Sequence, residues 1–206
     1  MSVWAVLGIA AGILSLIDPI PYLRDIMRGT TRPHRGTWGI WSVLGVIAFV
    51  AAIAEDGRWS LVLLGIQALS MLLTFGLSLT ARGTGGFSTP EVVMLGLGAI
   101  GAVGWVLSSE PLVATVSVVL ANVAGVLLML PKTWRDPHSE TASCFAISCA
   151  AGVLGTASVG ALDPGLLLYP AAIAVLDGSV AALIVLRARR VPRSAPNPTL
   201  TVMAAT

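Results

Sequence analysis

An aspartate inside an apolar run is the residue in this chain best placed to do chemistry. Asp177 lies in Tyr169-Pro170-Ala171-Ala172-Ile173-Ala174-Val175-Leu176-Asp177-Gly178-Ser179, ten residues before Arg187. At about 1.5 Å per helical residue this is about 15 Å from the nearest arginines, close to the middle of a bilayer. An ionised carboxylate at that depth costs several kcal/mol unless it faces a wet cavity or a cation. Two readings stay open. Asp177 is a proton-relay or substrate-contact carboxylate, or it is a neutral acid hydrogen-bonded between helices.

Other polar residues in apolar runs extend the candidate site. Gln67 and Ser70 are three apart and share one helix face. They are expected to face Asp177, or else to hold neighbouring helices together. Asn122 stands nine residues before Pro131, as Gly12 stands nine before Pro21. It either lines a cavity or bonds an adjacent helix. Trp38 and Trp41 open an apolar run. Such a pair reads first as an interfacial anchor, with the deeper Trp41 as the better candidate to stack on a substrate. Trp4, Trp59 and Trp105 fit the opposite interfacial belt. Asp18 precedes Pro19, a helix-start pattern in which the carboxylate caps amides. The alternative is a kinked helix with Asp18 reaching towards Arg24. Pro19, Pro21, Pro131 and Pro170 each remove a backbone donor and are candidate hinges.

Two loop stretches read as copies of one another. Pro21-Tyr22-Leu23-Arg24-Asp25 is followed by Arg32-Pro33-His34-Arg35-Gly36-Thr37. Pro131-Lys132-Thr133-Trp134-Arg135-Asp136 runs into Pro137-His138-Ser139-Glu140-Thr141. Both histidines of the chain, His34 and His138, occupy the same place in the two copies. Pro-His-x-x-Thr reads as a helix start, capped by imidazole or hydroxyl. Arg24-Asp25 and Arg135-Asp136 are expected to pair with the other copy's loop or to end a helix. Together with the histidines they form a candidate cytoplasmic gate.

The elements that must position these residues are apolar. Of 206 residues, 56% are hydrophobic and 11% charged, with a mean hydropathy of +0.90. Soluble domains carry roughly twice that charge. Seven apolar stretches, 3–23, 37–54, 59–80, 91–108, 111–130, 141–160 and 164–186, each approach the length of a spanning helix. The expected class is therefore an all-α integral membrane protein, a seven-helix bundle. Residues 1–82 and 111–190 form two parallel three-helix repeats. Residues 83–110 supply a flexible linker and a fourth helix, and 191–206 a disordered tail. Gly96, Gly98, Gly101 and Gly104 in that fourth helix suit close helix packing better than nucleotide binding. Basic residues collect on one side, in the loops holding Arg24, Arg28, Arg32, Arg35, Arg82, Lys132 and Arg135 and in the tail. The positive-inside rule then puts the N-terminus outside and the C-terminus in the cytoplasm of a bacterial inner membrane.

A proline near the cytoplasmic end of the first helix, a basic loop, a polar turn opening the second helix, and duplicated three-helix units resemble the PQ-loop superfamily with its SWEET and SemiSWEET sugar transporters. The resemblance covers nearly the whole chain, mostly as topology. Pro21-Tyr22 and Pro131-Lys132 keep the family's proline without its glutamine. The asparagine that such carriers place on each third helix is replaced by Gln67 and Ser70 in one repeat and Asp177 in the other. The resemblance implies alternating-access transport of a small polar solute such as a sugar, with proton linkage through Asp177 as an option. A non-transporting receptor on the same scaffold and a nicotinamide riboside-type carrier are the alternatives. The expected partners are a small-molecule substrate and the bilayer, with a homo-oligomer left open. Net charge is +2 and no basic helix face stands out, so nucleic acid is not expected. Neither a cofactor, a metal site nor an enzymatic nucleophile-base pair is expected. Cys144 and Cys149, at a spacing of five, diverge too far on a helix to bridge.

Overall fold

In the computed structural model, the described residues are 1–54, 58–86, 88–107 and 111–192. Eight α-helices follow in order: α1 Val3–Ile17, α2 Pro19–Met27, α3 Arg35–Ala54, α4 Arg58–Ser78, α5 Thr89–Leu107, α6 Pro111–Arg135, α7 Ala142–Ser158 and α8 Pro164–Ala188. A short 3-10 turn, Pro137–Ser139, precedes α7. No strand occurs among the described residues, only one isolated bridge between His34 and Thr84. The all-α class is as the apolar runs predict. The tail from residue 193, expected to be disordered, lies outside the described residues.

Four stretches are long and apolar enough to cross a membrane: Val3–Met27, Leu61–Ser78, Thr115–Arg135 and Pro164–Ala188. Three more apolar helices, at Arg35–Val50, Thr89–Gly101 and Ala142–Ser158, are shorter. The outer faces are apolar too, with Ile9 and Ile13 on α1, Leu69 and Leu73 on α4 and Ile100 on α5 all exposed. Water would not tolerate so much contiguous apolar surface, whereas lipid matches it. These helices have the length and surface of a membrane protein.

Local sequence explains where helices begin. Asp163 accepts from the amides of Gly165 (2.8 Å) and Leu166 (3.3 Å), and Pro164 supplies a first-turn residue needing no donor partner. Glu91 accepts from both the amide and the hydroxyl of Ser88, at 2.9 and 2.5 Å, so its side chain reaches back over the start of α5. The expected break at Asp18-Pro19 is much milder than a helix start. Asp18 keeps helical dihedrals (φ −55°, ψ −36°), its amide reaches the Leu14 carbonyl at 2.9 Å, and its side chain caps nothing. Proline needs no amide hydrogen bond to continue from a residue already helical, so α1 runs through Asp18 into α2.

The helices pack both as chain neighbours and across the bundle. α3 lies on α4 and α7 on α8, while α1 lies against α7 and α6 against α3. α5 packs on α6 and touches α3. Small residues set the closest approaches. A Cβ on Gly152 would meet the Ala174 amide nitrogen at 2.7 Å and the Pro170 carbonyl at 2.8 Å, so α7 touches the α8 backbone there. A Cβ on Gly101 would lie 2.7 Å from the Ser117 carbonyl of α6, and one on Gly98 2.7 Å from Ile40 of α3, whereas Gly96 meets nothing. The linker between α4 and α5, expected to be flexible, is tied down. Arg35 donates to the carbonyls of Gly85 (2.5 Å) and Thr80 (3.3 Å), and Thr84 exchanges backbone bonds of 2.9 Å with Pro33 and Arg35.

Candidate functional site

A cavity of about 640 Å³ lies between the helices. Gly8 and Ser15 of α1, Leu63 and Gln67 of α4, Thr115 and Asn122 of α6, Ser158 of α7 and Tyr169 of α8 mark its length. These residues belong to the halves of the helices nearest Met1 and the middle of the bundle. Its inner end is made by Asp18, Trp38, Trp41, Phe145, Ser148 and Asp177.

All five residues expected to meet a solute, Asp177, Gln67, Ser70, Asn122 and Trp41, line this one cavity, as do Pro19 and Pro170. Several of their donors are already used. Ser70 Oγ donates to the Gln67 carbonyl at 2.8 Å, and Asn122 Nδ2 to the Val118 carbonyl at 3.0 Å, both inside their own helices. Ser148 Oγ donates to Asp177 Oδ2 at 2.5 Å. Asp18, 8% exposed, lines the same cavity as Ser148 and as Asp177, which is 9% exposed. Asp18 and Ser148 therefore join the candidate site. The Asp18-Pro19 motif hides Asp18 behind a capping pattern, and nothing marks Ser148 among the serines of α7.

Trp38 and Trp41 are not interfacial anchors: they are only 6% and 8% exposed. Their ring centroids are 5.1 Å apart, nearly perpendicular, and Trp38 lies 4.8 Å from Tyr22. Trp41 packs over Gly125, and its Nε1 is without a hydrogen-bond partner. Of the tryptophans expected at the opposite belt, Trp4 is half-exposed and stacks against Gly160, where φ is +65°. The side chains of Trp59 and Trp105 lie outside the described residues.

Beyond the cavity, the loop-bearing end of the bundle is closed by a polar network around Glu140. Tyr22 Oη donates to Glu140 Oε2 at 2.8 Å and accepts from Trp38 Nε1 at 3.1 Å. Lys132 Nζ donates to Glu140 Oε1, to the Arg32 carbonyl, and at 3.2 Å to the Ser139 carbonyl. Tyr22 and Lys132, each following the proline of its copy, thus grip one carboxylate. Thr31 Oγ1 and Thr141 Oγ1 are 2.6 Å apart, and Thr141 donates to Asp25 Oδ2 at 3.1 Å. Thr37 Oγ1 donates to the Gly125 carbonyl of α6 at 2.6 Å. The motif threonines thus bond α6 and α2. Arg24 pairs with its neighbour Asp25 at 3.1 Å, and only Asp25 reaches the opposite loop.

The two histidines differ. His34 Nδ1 accepts from the Thr37 amide (3.4 Å), the imidazole cap that Pro-His-x-x-Thr predicts, with the Thr37 hydroxyl, committed to Gly125, 3.3 Å away. That places its hydrogen on Nε2, which faces Glu91 Oε1 at 3.1 Å. Burial lowers its pKa below the ordinary 6.5; Glu91 opposes this, and Lys132 and Arg35 add to it. His138 sits in the 3-10 turn with Nε2 2.8 Å from the Val191 carbonyl, and Thr141 makes no cap. A second cavity of about 600 Å³ lies at this end, lined by His34, Glu91, Pro131, Lys132, Arg135 and Asp136 among others. Of the expected hinges, Pro131 lies inside α6 beside it, and Pro21 sits in the first turn of α2. No group of three potential metal ligands occurs among the described residues.

Fold and site together define an all-helical protein with membrane-length helices around a central, acid-bearing cavity. Comparison with protein-family models, curated proteins and solved structures finds no match to this chain.

Proposed function

We propose that this protein is a membrane carrier that moves a small polar solute by alternating access. The observation that carries the reading is the cavity of about 640 Å³, which ends at mid-bundle against side chains contributed by both halves. Alternating access needs a central site that can be closed at either end by rocking one half against the other. Here the half-bundles α1–α4 and α6–α8 correspond in order, and the cross-packing of α1 on α7 and of α3 on α6 fits that exchange. The proposed arrangement is seven spans in a 3+1+3 order, of the PQ-loop and SWEET type, with α1 and α2 forming one span and α5 the linker helix. With the N-terminus outside, the cavity faces outward and the loop-end network is the closed cytoplasmic gate. Pro21, Pro131 and Pro170 interrupt backbone ladders at the places where helices would have to bend.

The test is flux into proteoliposomes, with sugars, polyols, amino acids, nucleosides and amines offered in turn, with and without a pH gradient. Saturable uptake of one class, lost in Asp177→Asn, is expected. A well-folded protein that moves none of them contradicts the carrier reading and favours a receptor on the same scaffold.

A further inference from the structure

The cavity's chemistry narrows its ligand. Among the described residues, every formally charged side chain on its wall is acidic: Asp18 and Asp177 line it, and no described lysine, arginine or histidine does. Both aspartates are about nine-tenths buried. Two buried carboxylates lining one poorly solvated cavity lose hydration, a cost of several kcal/mol unless a proton or another positive charge compensates. Among the described residues, Ser148 donates its hydroxyl to Asp177 and no cation lines the cavity.

The remaining polar lining points the same way. Recognising a neutral polyol requires both donors and acceptors. The donors of Ser70, Asn122 and Ser158 are committed to carbonyls of their own helices, at 2.8, 3.0 and 2.7 Å. The charged groups the described wall presents to a ligand are carboxylate acceptors, Asp18 and Asp177. Around them stand the rings of Trp38, Trp41, Phe145 and Tyr169, which favour a cation over their faces. Among the described residues, Trp41 also carries a buried, cavity-lining indole N–H with no acceptor, a donor that calls for an acceptor atom on the ligand beside its cationic group. The volume, about 640 Å³, far exceeds what a bare metal ion needs and falls in the range of organic-ligand sites.

We infer that the cavity takes a small organic cation, a protonated amine whose N–H groups meet Asp18 and Asp177, rather than a neutral sugar. This rests on reading the cavity as a carrier's central site, but binding and transport are separable. The purified protein in detergent is titrated with agmatine, with glucose, and with sodium chloride at matched ionic strength, and its thermal unfolding midpoint is followed. Agmatine uptake into proteoliposomes is measured on the same preparation. The expected result is a saturable upward shift with agmatine alone. Its affinity falls about tenfold or more in Asp18→Asn and in Asp177→Asn, each first shown to elute and unfold cooperatively like the wild type. Because either aspartate can be tested without the other, one poorly folding variant does not end the experiment. A shift with glucose instead of agmatine, no shift with agmatine, or an agmatine shift that survives both substitutions overturns the inference. Aspartate-dependent agmatine binding without uptake upholds it and removes the carrier reading.

Discussion

At the scale of the residue, the loop end is where single atoms matter most. Tyr22 is fully buried, and its hydroxyl joins Trp38 to Glu140. Tyr22→Phe leaves an indole donor and a carboxylate oxygen short of a partner, so a loss of about 1–3 kcal/mol is expected. Denaturant unfolding in detergent measures it, and an unchanged midpoint would mean that the network is not part of the fold's stability. His34 gives a pH signature. Its imidazole is held neutral by burial, so the folded pKa lies below 6.5. The unfolded imidazole takes up its proton first as pH falls. The stabilisation is therefore complete above the unfolded value and is lost as pH falls through 6.5 towards the lowered folded value. The thermal midpoint should drop between about pH 7.5 and 5.5, and less so in His34→Gln. A profile identical in the two proteins would show that other groups set the acid limb.

Elements carry the next level, and here the sequence was read more easily than the contacts. Apolar run lengths located every helix to within a few residues, because lipid-facing segments must satisfy their backbone internally and so declare themselves by length. Asp177, Gln67, Ser70, Asn122 and Trp41 were legible as polar or aromatic exceptions in such runs, and they line one cavity. What was not legible depended on rotation and on partners far along the chain. The spacing of Trp38 and Trp41 is the same whether the pair faces headgroups or the bundle centre, and only packing on Tyr22 and Gly125 decides it. Glu140 looked like a loop residue, because its partners Tyr22 and Lys132 come from two different helices. Ser88-Thr89-Pro90-Glu91 carried a readable capping signal, and it is part of what holds the linker that its glycines suggested was loose. The tight element contact is α7 on α8. Gly152→Val forces side-chain carbon into the backbone at Ala174 and Pro170. A destabilisation of at least about 1–3 kcal/mol is expected, read as a lower thermal midpoint. A midpoint equal to wild type would mean that α7 and α8 separate more readily than their packing implies.

At the scale of the whole molecule, the proposed carrier works by exchanging which end of the cavity is closed. The closed end in this structure is sewn by contacts between the loops of the two halves, with Thr31 and Thr141 hydroxyls 2.6 Å apart at its centre. These loops must part if a solute is to leave on that side. In the proposed carrier, the bonds of Thr37 to Gly125 on α6 and of Thr141 to Asp25 on α2 would be broken and remade as a set. The most direct measurement uses Thr31→Cys with Thr141→Cys, in a background with Cys144 and Cys149 replaced by alanine. Uptake of whichever solute the wild type carries is followed in proteoliposomes before oxidation, after it, and after reduction. The account predicts uptake that disappears when the disulfide forms and returns when it is reduced. Undiminished uptake by the fully cross-linked protein would contradict it, because a bundle that works with this end locked does not operate by alternating access.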